Sequence, residues 1–352
     1  MRILISGRIY PDSFARNLAV SAKGMGHTVV VVDPSPAHRR FGYAAEVAAE
    51  YLAKLPSIER WRHRPLVRAA ADFQPHLVLI SHGTLPPETV AQIRQVTRAK
   101  LAAWFPDHIA NLGRQYLLAS DLDAWFFKDP HMAETFRAKL GLNALYLPEA
   151  CNPRWHRRAE LSETDRRRYG CDLTCASNMY YYRARLLEMF AGYDLKLWGT
   201  GFPFWLRSPL RARYPGVYVA EVKKSKAFNA AKIVLNTMHP AEIDGVNCRL
   251  FEAAGCGAFQ IADWKPALPG LFEPEREIVT FRSREELREK VNYYLAHPEE
   301  RQEIADRAYA RAHREHTYEI RLQRMFGTLS LSARQSSARA VRSEPDLVST
   351  WH

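Results

Sequence analysis

The chain of 352 residues has no apolar run long enough to cross a bilayer; its longest, such as TVVVV from Thr28 to Val32, are strand-sized. A spanning helix needs about 20 such residues. Arg2 leads directly into ILIS, with no charged stretch, apolar block and cleavage site in succession, so a secretory leader is not expected. Cysteine is scarce: Cys151, Cys171, Cys175, Cys248 and Cys256 form an odd, scattered set. The Cys171–Cys175 pair has neither a second pair nor a histidine cluster nearby, which argues against zinc and for reduced thiols in a cytosolic protein. No G-x-x-x-x-G-K-[ST] is present, and no G-x-G-x-x-G follows the first strand, so neither a P-loop ATPase nor a dehydrogenase is indicated. Helix-turn-helix and RNA-binding aromatic motifs are missing too, leaving no support for specific nucleic-acid recognition. Acidic residues are outnumbered 38 to 50 by Lys and Arg, a net charge of +12. That balance suits peripheral contact with an anionic membrane, at its inner face, or with another polyanion; a merely solvated basic surface is the competing explanation.

What is present is an alternation of short apolar runs with amphipathic stretches, repeated twice, the pattern of βαβ units. The first series is RILISG from Arg2, TVVVVD from Thr28, HLVLIS from His76, KLAAWF from Lys100, DAWFFK from Asp123 and ALYL from Ala144. The second is DLTCAS from Asp172, DLKLWG from Asp194, VYVA from Val217, KIVLNT from Lys232, AFQIAD from Ala258 and EIVTF from Glu277. The expected fold class is therefore α/β, with two doubly wound Rossmann-like domains facing a cleft. The first should cover residues 1–160 and the second 168–315, joined by the Arg-rich stretch from Arg154 to Tyr169. A helix over 316–329 should pack back on the first domain, and the Ser/Arg-rich tail 330–352 should be poorly ordered.

The segment from Asn236 to Asp263, NTMHPAEIDGVNCRLFEAAGCGAFQIAD, carries the chemistry. A strand should end near Thr237, and a helix should begin near Asn247 and stop at Gly255–Cys256–Gly257. First-turn amides of such a helix suit an anionic phosphate or sugar hydroxyls. Gly245 allows close backbone approach to a ligand. Asp244 and Glu252 bracket the turn with seven residues between them. Taken alone, Glu252 and Arg249 could equally be a surface pair three positions apart on one helix.

DGVNCRLFEAAGCG resembles the donor-binding signature of GT-B glycosyltransferases, and more closely that of the CgeB-like, spore-maturation branch of the group 1 glycosyltransferases. The Arg249–Glu252 run, LFEPEREIV from Leu271, EELREKVNYYLAHPEER from Glu285 and His316–Tyr318 with Arg321 extend the likeness over Asn229 to Arg324. The resemblance implies an enzyme moving a hexosyl or related sugar from a nucleotide sugar to an unidentified acceptor, with retention. Donor would bind the second domain and acceptor the first. Glu252 would hold the ribose. Asp244 and the amides of Gly245, Val246 and Asn247 would meet the sugar, with Arg249 in support. Asp244 stands where the family more often has glutamate.

Leaving-group charge is then expected to be met by arginine and helix N-termini, with no metal and no cofactor. Arg183 is the first choice and Arg185 the second, in SNMYYYRAR after the strand ending at Ser177. Asp121 and Asp123 form a D-x-D, but before an apolar run and not after it, which speaks against a metal site. His239 lies beside the donor loop. At the strand ends of the first domain, Asp107 and His82 are candidates for the catalytic base or charge stabiliser, near the Gly7–Arg8 loop. Rival readings are a sugar-nucleotide epimerase, a DNA-modifying sugar transferase, or a binding protein that has lost turnover.

Overall fold

The computed structural model describes residues 1–33, 52, 55–108 and 115–331. Runs that are apolar on both faces become strands of parallel sheets, because helices cover each side. In the first unit these are β1 (Arg2–Ser6), β2 (Thr28–Val32), β3 (Leu77–Ile80), β4 (Lys100–Phe105), β5 (Ala124–Phe127) and β6 (Ala144–Tyr146). They form one sheet in the order β2-β1-β3-β4-β5-β6, every pairing parallel. The central β3 is buried along its whole length, whereas the edge strand β2 is only partly covered. The intervening helices are α1 (Phe14–Gly24), α2 (Pro56–Phe73), α3 (Pro87–Val96), α4 (Tyr116–Ala119) and α5 (Pro130–Leu140). Ser13 starts α1, its hydroxyl accepting the Arg16 N–H.

The second unit contains α6 (Glu163–Tyr169), β7 (Cys171–Ala176), α7 (Tyr181–Leu187), β8 (Leu195–Trp198), α8 (Val222–Ala230), β9 (Ala231–Asn236), α9 (Cys248–Gly255), β10 (Gln260–Asp263), β11 (Val279–Phe281), α10 (Arg284–Ala296) and α11 (Pro298–Glu315). Its sheet runs β11-β10-β9-β7-β8. In both sheets the second strand lies on one side of the first and the third on the other. The order therefore reverses between β1 and β3, and again between β7 and β9. Ligands of doubly wound sheets bind outside the carboxyl ends of the strands at such points.

Three expectations change. VYVA is not a strand: Pro215 and Gly216 (φ +68°) precede it, Val217 and Tyr218 are exposed, and Glu221 ends it at φ +52°. It accepts the Gly199 N–H at the Val217 carbonyl just beyond β8 but joins no ladder, so this sheet has five strands among the described residues and not six. The Arg-rich stretch 154–169 is not a linker. Ser162 and Asp165 form a reciprocal capping box that opens α6, and Lys226 pairs with Asp165 at 2.8 Å. The chain passes between units at Leu147–Pro148, and Lys128–His131 also groups with the second unit. Helix α12 (Tyr318–Thr328) changes unit at Arg321, and Phe326 meets His27 edge-on in the first. Beyond Leu331 the tail lies outside the described residues.

Candidate functional site

In the second unit, Asn236 ends β9 and the loop runs to Asn247, which caps α9. The Asn247 Oδ1 accepts the Leu250 N–H (3.2 Å), and its Nδ2 donates to Asn236 Oδ1 (2.9 Å). Asn247 is thus occupied by the fold, and Val246 is sunk in the core around Phe251. The amides of Ile243, Asp244 and Gly245 converge on one carboxylate oxygen of Asp129, at 3.2, 3.1 and 3.0 Å. A Cβ at Gly245 would lie 2.9 Å from both the Lys128 carbonyl and the Asp129 Cα. Gly245 therefore makes room for the chain's own backbone. The expectation that its amide faces a ligand is corrected: Asp129 already holds it. The Asp244 carboxylate is half-buried and makes no hydrogen bond or ion pair among the described residues.

Glu252 is 3% exposed, on the second turn of α9. Its partner is not Arg249 but Lys224 of α8, at 2.9 Å, with His156 Nε2 at 4.0 Å from the other oxygen. Lys224 was missed in the sequence. The available signal was its place with Ala227 and Phe228 at helical spacing on the buried face of α8. Arg249 Nε lacks a partner, and its guanidinium forms no hydrogen bond or ion pair with any described residue. Burial works against its charge, but neighbouring Cys248, Cys175, Glu252 and Tyr180 more than offset that and raise its pKa.

Arg183 is the reverse case. Its Nε donates to Thr237 Oγ1 (2.6 Å), one terminal nitrogen to the Asn178 carbonyl (2.5 Å), and the other to Tyr180 Oη (2.7 Å) and the Thr237 carbonyl (3.0 Å). It lies over the Tyr180 ring, 4.2 Å from the centroid. Arg183 thus spends its donors fastening the loop after β7 to the loop after β9, which suits a brace better than a phosphate clamp. Arg185 is exposed and paired with Glu188 at 2.6 Å. His239 Nδ1 accepts the Ala241 N–H (3.0 Å), and its ring meets Tyr180 edge-on. Asp263, at the end of β10 on the same rim, was also missed. Burial pushes its carboxyl up to about 6, against the Met238 amide, Lys265 and Arg183.

In the first unit, Gly7, Arg8 and His82 flank the β1/β3 reversal. A Cβ on Gly7 would collide with Ser81 Oγ and Ala15 Cβ at 2.1 and 2.6 Å, so only glycine fits. Exposed Arg8 has no hydrogen bond or ion pair among the described residues. His82 stacks on His63 at 5.9 Å. Its Nδ1 accepts the Thr84 N–H, which leaves Nε2 to donate to Ser6 Oγ (2.8 Å). Burial first, then the charges of His63, Arg8 and Arg62, push its pKa down to about 3. Such an imidazole is a weak base at neutral pH. Asp107 follows β4 and Pro106; its carboxylate is half-exposed and accepts the His108 N–H at 2.9 Å. Asp123 is engaged by Arg94 (2.9 Å) and Lys100 (3.0 Å), which accounts for its charge without a metal.

Residues 182–327 match the model of a family described as glycosyl transferase-like. The spore protein CgeB of Bacillus subtilis (strain 168) is 27% identical over 125 residues, 32% of this chain and 38% of that protein. The match thus spans less than half of that relative. Among solved structures, sucrose-phosphate synthase from Thermosynechococcus elongatus superposes with a TM-score of 0.65 at 13% identity, covering 94% of this chain and 98% of that one. Anabaena HepE in complex with UDP-glucose gives 0.63 at 14% identity, covering 94% and 99%. Both likenesses show the fold. In fold the chain is similar to these GT-B glycosyltransferases, and its residues 182–327 match the glycosyl transferase-like family.

Proposed function

We propose that the protein transfers a hexosyl or related sugar from a nucleotide donor to an acceptor hydroxyl, without a metal and with retention at the anomeric carbon. The observation that carries this reading is a half-buried guanidinium, Arg249, with no hydrogen bond or ion pair among the described residues, and a buried carboxylate, Glu252, one helical turn apart beside the β7/β9 reversal. The carboxylate accepts hydrogen bonds from adjacent ribose hydroxyls while Lys224 holds its other oxygen in place. The guanidinium and the first-turn amides of α9 meet the diphosphate, whose negative charge grows as the C1–O bond breaks. Asp244, with its carboxylate open, is the group for sugar hydroxyls. The new bond forms between C1 and the acceptor oxygen, and the acceptor proton passes to the departing phosphate oxygen.

Asp107, at the carboxyl end of β4, is the residue of the first unit to which we assign a catalytic part, through its negative charge. HepE, solved with UDP-glucose, supports a hexosyl nucleotide as donor, and the group 1 resemblance supports retention. The test is donor turnover across a panel of nucleotide sugars, with and without EDTA, and NMR of the product's anomeric proton. Turnover is expected to survive chelation. Complete loss, restored by manganese or magnesium, would overturn the role given to Arg249.

A further inference from the structure

The loop after β8 exposes aromatic side chains that the core does not use. Phe204 is 92% exposed and Trp205 59%; beside them Tyr181 and Tyr182, at the start of α7, are 55% and 45% exposed. Trp205 stacks on Tyr181 at 6.3 Å with an interplanar angle of 21°, which joins the loop to the start of α7 in one aromatic surface, with Phe204 and Tyr182 next to these rings in the chain. The loop is held from beneath. Leu206 and Leu210 are buried in the core of the unit, Phe202 packs edge-on against Tyr214 at 5.3 Å, and Arg211 lies 4.5 Å over Phe202 while donating to the Leu206 carbonyl. The fold therefore presents Phe204 and Trp205 to solvent on a braced support.

The segment that carries the loop has charge of one sign. From Leu195 to Ala220 there is no Asp or Glu, while Lys196, Arg207, Arg211 and Arg213 are present. Arg207 is exposed, two positions from Trp205, and has no hydrogen bond or ion pair among the described residues. Aromatic side chains backed by arginine match the boundary between acyl chains and anionic headgroups: rings enter the interface and guanidinium groups stay with the phosphates. A phenylalanine protruding this far fits a soft interface better than the groove in which single-stranded bases stack. No helix among the described residues is long and apolar enough to cross a membrane, so attachment through this patch would be peripheral.

We infer that the Phe204–Trp205 loop, with Tyr181, Tyr182 and Arg207, docks the second unit on an anionic lipid bilayer. This does not depend on the donor-site assignment. The test is flotation of the full chain with phosphatidylcholine vesicles, with and without phosphatidylglycerol, for wild type, Phe204→Ser/Trp205→Ser and Arg207→Ser. Wild type is expected to float with the anionic vesicles only, and less as salt rises. The double variant should bind them about tenfold more weakly or worse, with unchanged melting and unchanged affinity for nucleoside diphosphates. Arg207→Ser should weaken binding by roughly fivefold. Wild type that stays with the pellet, or a double variant that floats equally well, overturns the inference. So does loss of nucleoside diphosphate binding in the double variant, which would make the patch part of a nucleotide site. Equal loss of binding to a single-stranded oligonucleotide would make it a nucleic-acid platform and also overturn it.

Discussion

A buried ammonium is costly unless an anion meets it, and a buried carboxylate equally so. Lys224 and Glu252 satisfy each other, and this alters what substitution of Glu252 does. Alanine there would remove the carboxylate that faces the Lys224 ammonium, confusing folding with binding; glutamine keeps an acceptor for the ammonium and is the better probe. Asp263 offers a separate test, through pH. Its folded pKa, about 6 against an ordinary 3.8, lies above the unfolded value, so the native state binds more protons between the two. Its favourable contribution is therefore present below about pH 4 and lost as pH rises to about 6. Asp263→Asn, which keeps an acceptor for the Met238 amide, should stabilise the protein by about 1–2 kcal/mol at pH 7.5, allowing for partial solvent access. Urea unfolding at pH 7.5 and pH 4 measures this. The two proteins should converge at the lower pH, and a gap independent of pH would refute the assignment. The spacing to Asp244 singles out Glu252 in the sequence but says nothing of its partner: Lys224 lies 28 residues away on another helix. Nor could the sequence separate Arg183 from Arg249, since each lies on the helix that follows a strand and its loop, and only the hydrogen bonds tell the brace from the open cation.

Elements were read best where local pattern and burial agree. All six strand runs of the first unit were legible, because a parallel sheet covered on both faces selects continuous apolar stretches. Ser283 starts α10, where its hydroxyl accepts the Glu286 N–H at 3.1 Å. The Glu286 carboxylate, however, takes the Arg282 amide (2.7 Å), one residue before the cap. VYVA failed because β propensity cannot supply a partner: beside edge strand β8, after Pro215 and Gly216, it accepts the Gly199 N–H but forms no ladder. The loop between β9 and α9 is shaped by contacts more than 100 residues distant, from Lys128 to Glu242 and from Asp129 to the amides of 243–245. Gly245→Ala drives a methyl into the backbone of Lys128 and Asp129. It should cost about 1–3 kcal/mol as an overpacking change, read from urea midpoints, and should weaken nucleoside diphosphate binding as the loop shifts. Unaltered stability would mean that the Asp129 contact contributes little to holding this loop.

For the whole molecule, the division of labour between units is the part of the account most open to experiment. Asp107→Asn removes charge while keeping size, so turnover should fall by about two to four orders of magnitude with donor affinity little changed. Steady-state kinetics beside calorimetric donor titration checks this; a normal kcat would remove Asp107 from the mechanism. The two-unit α/β plan was legible from strand spacing alone. The unit boundary was not, because an Arg-rich stretch that looked like a linker is capped, helical and paired with α8. The central claim is that Glu252 and Arg249 grip the donor nucleotide. Its most direct test is the nucleoside diphosphate Kd of wild type, Glu252→Gln, Arg249→Ala and Arg185→Ala, measured beside their melting curves. Glu252→Gln and Arg249→Ala should each weaken binding by about 1.5–3 kcal/mol, the scale for hydrogen bonds to charged groups. Arg249→Ala should leave the melting curve almost unmoved, and Arg185→Ala should bind as wild type. Wild-type affinity in both Glu252→Gln and Arg249→Ala would place the donor elsewhere and contradict the account.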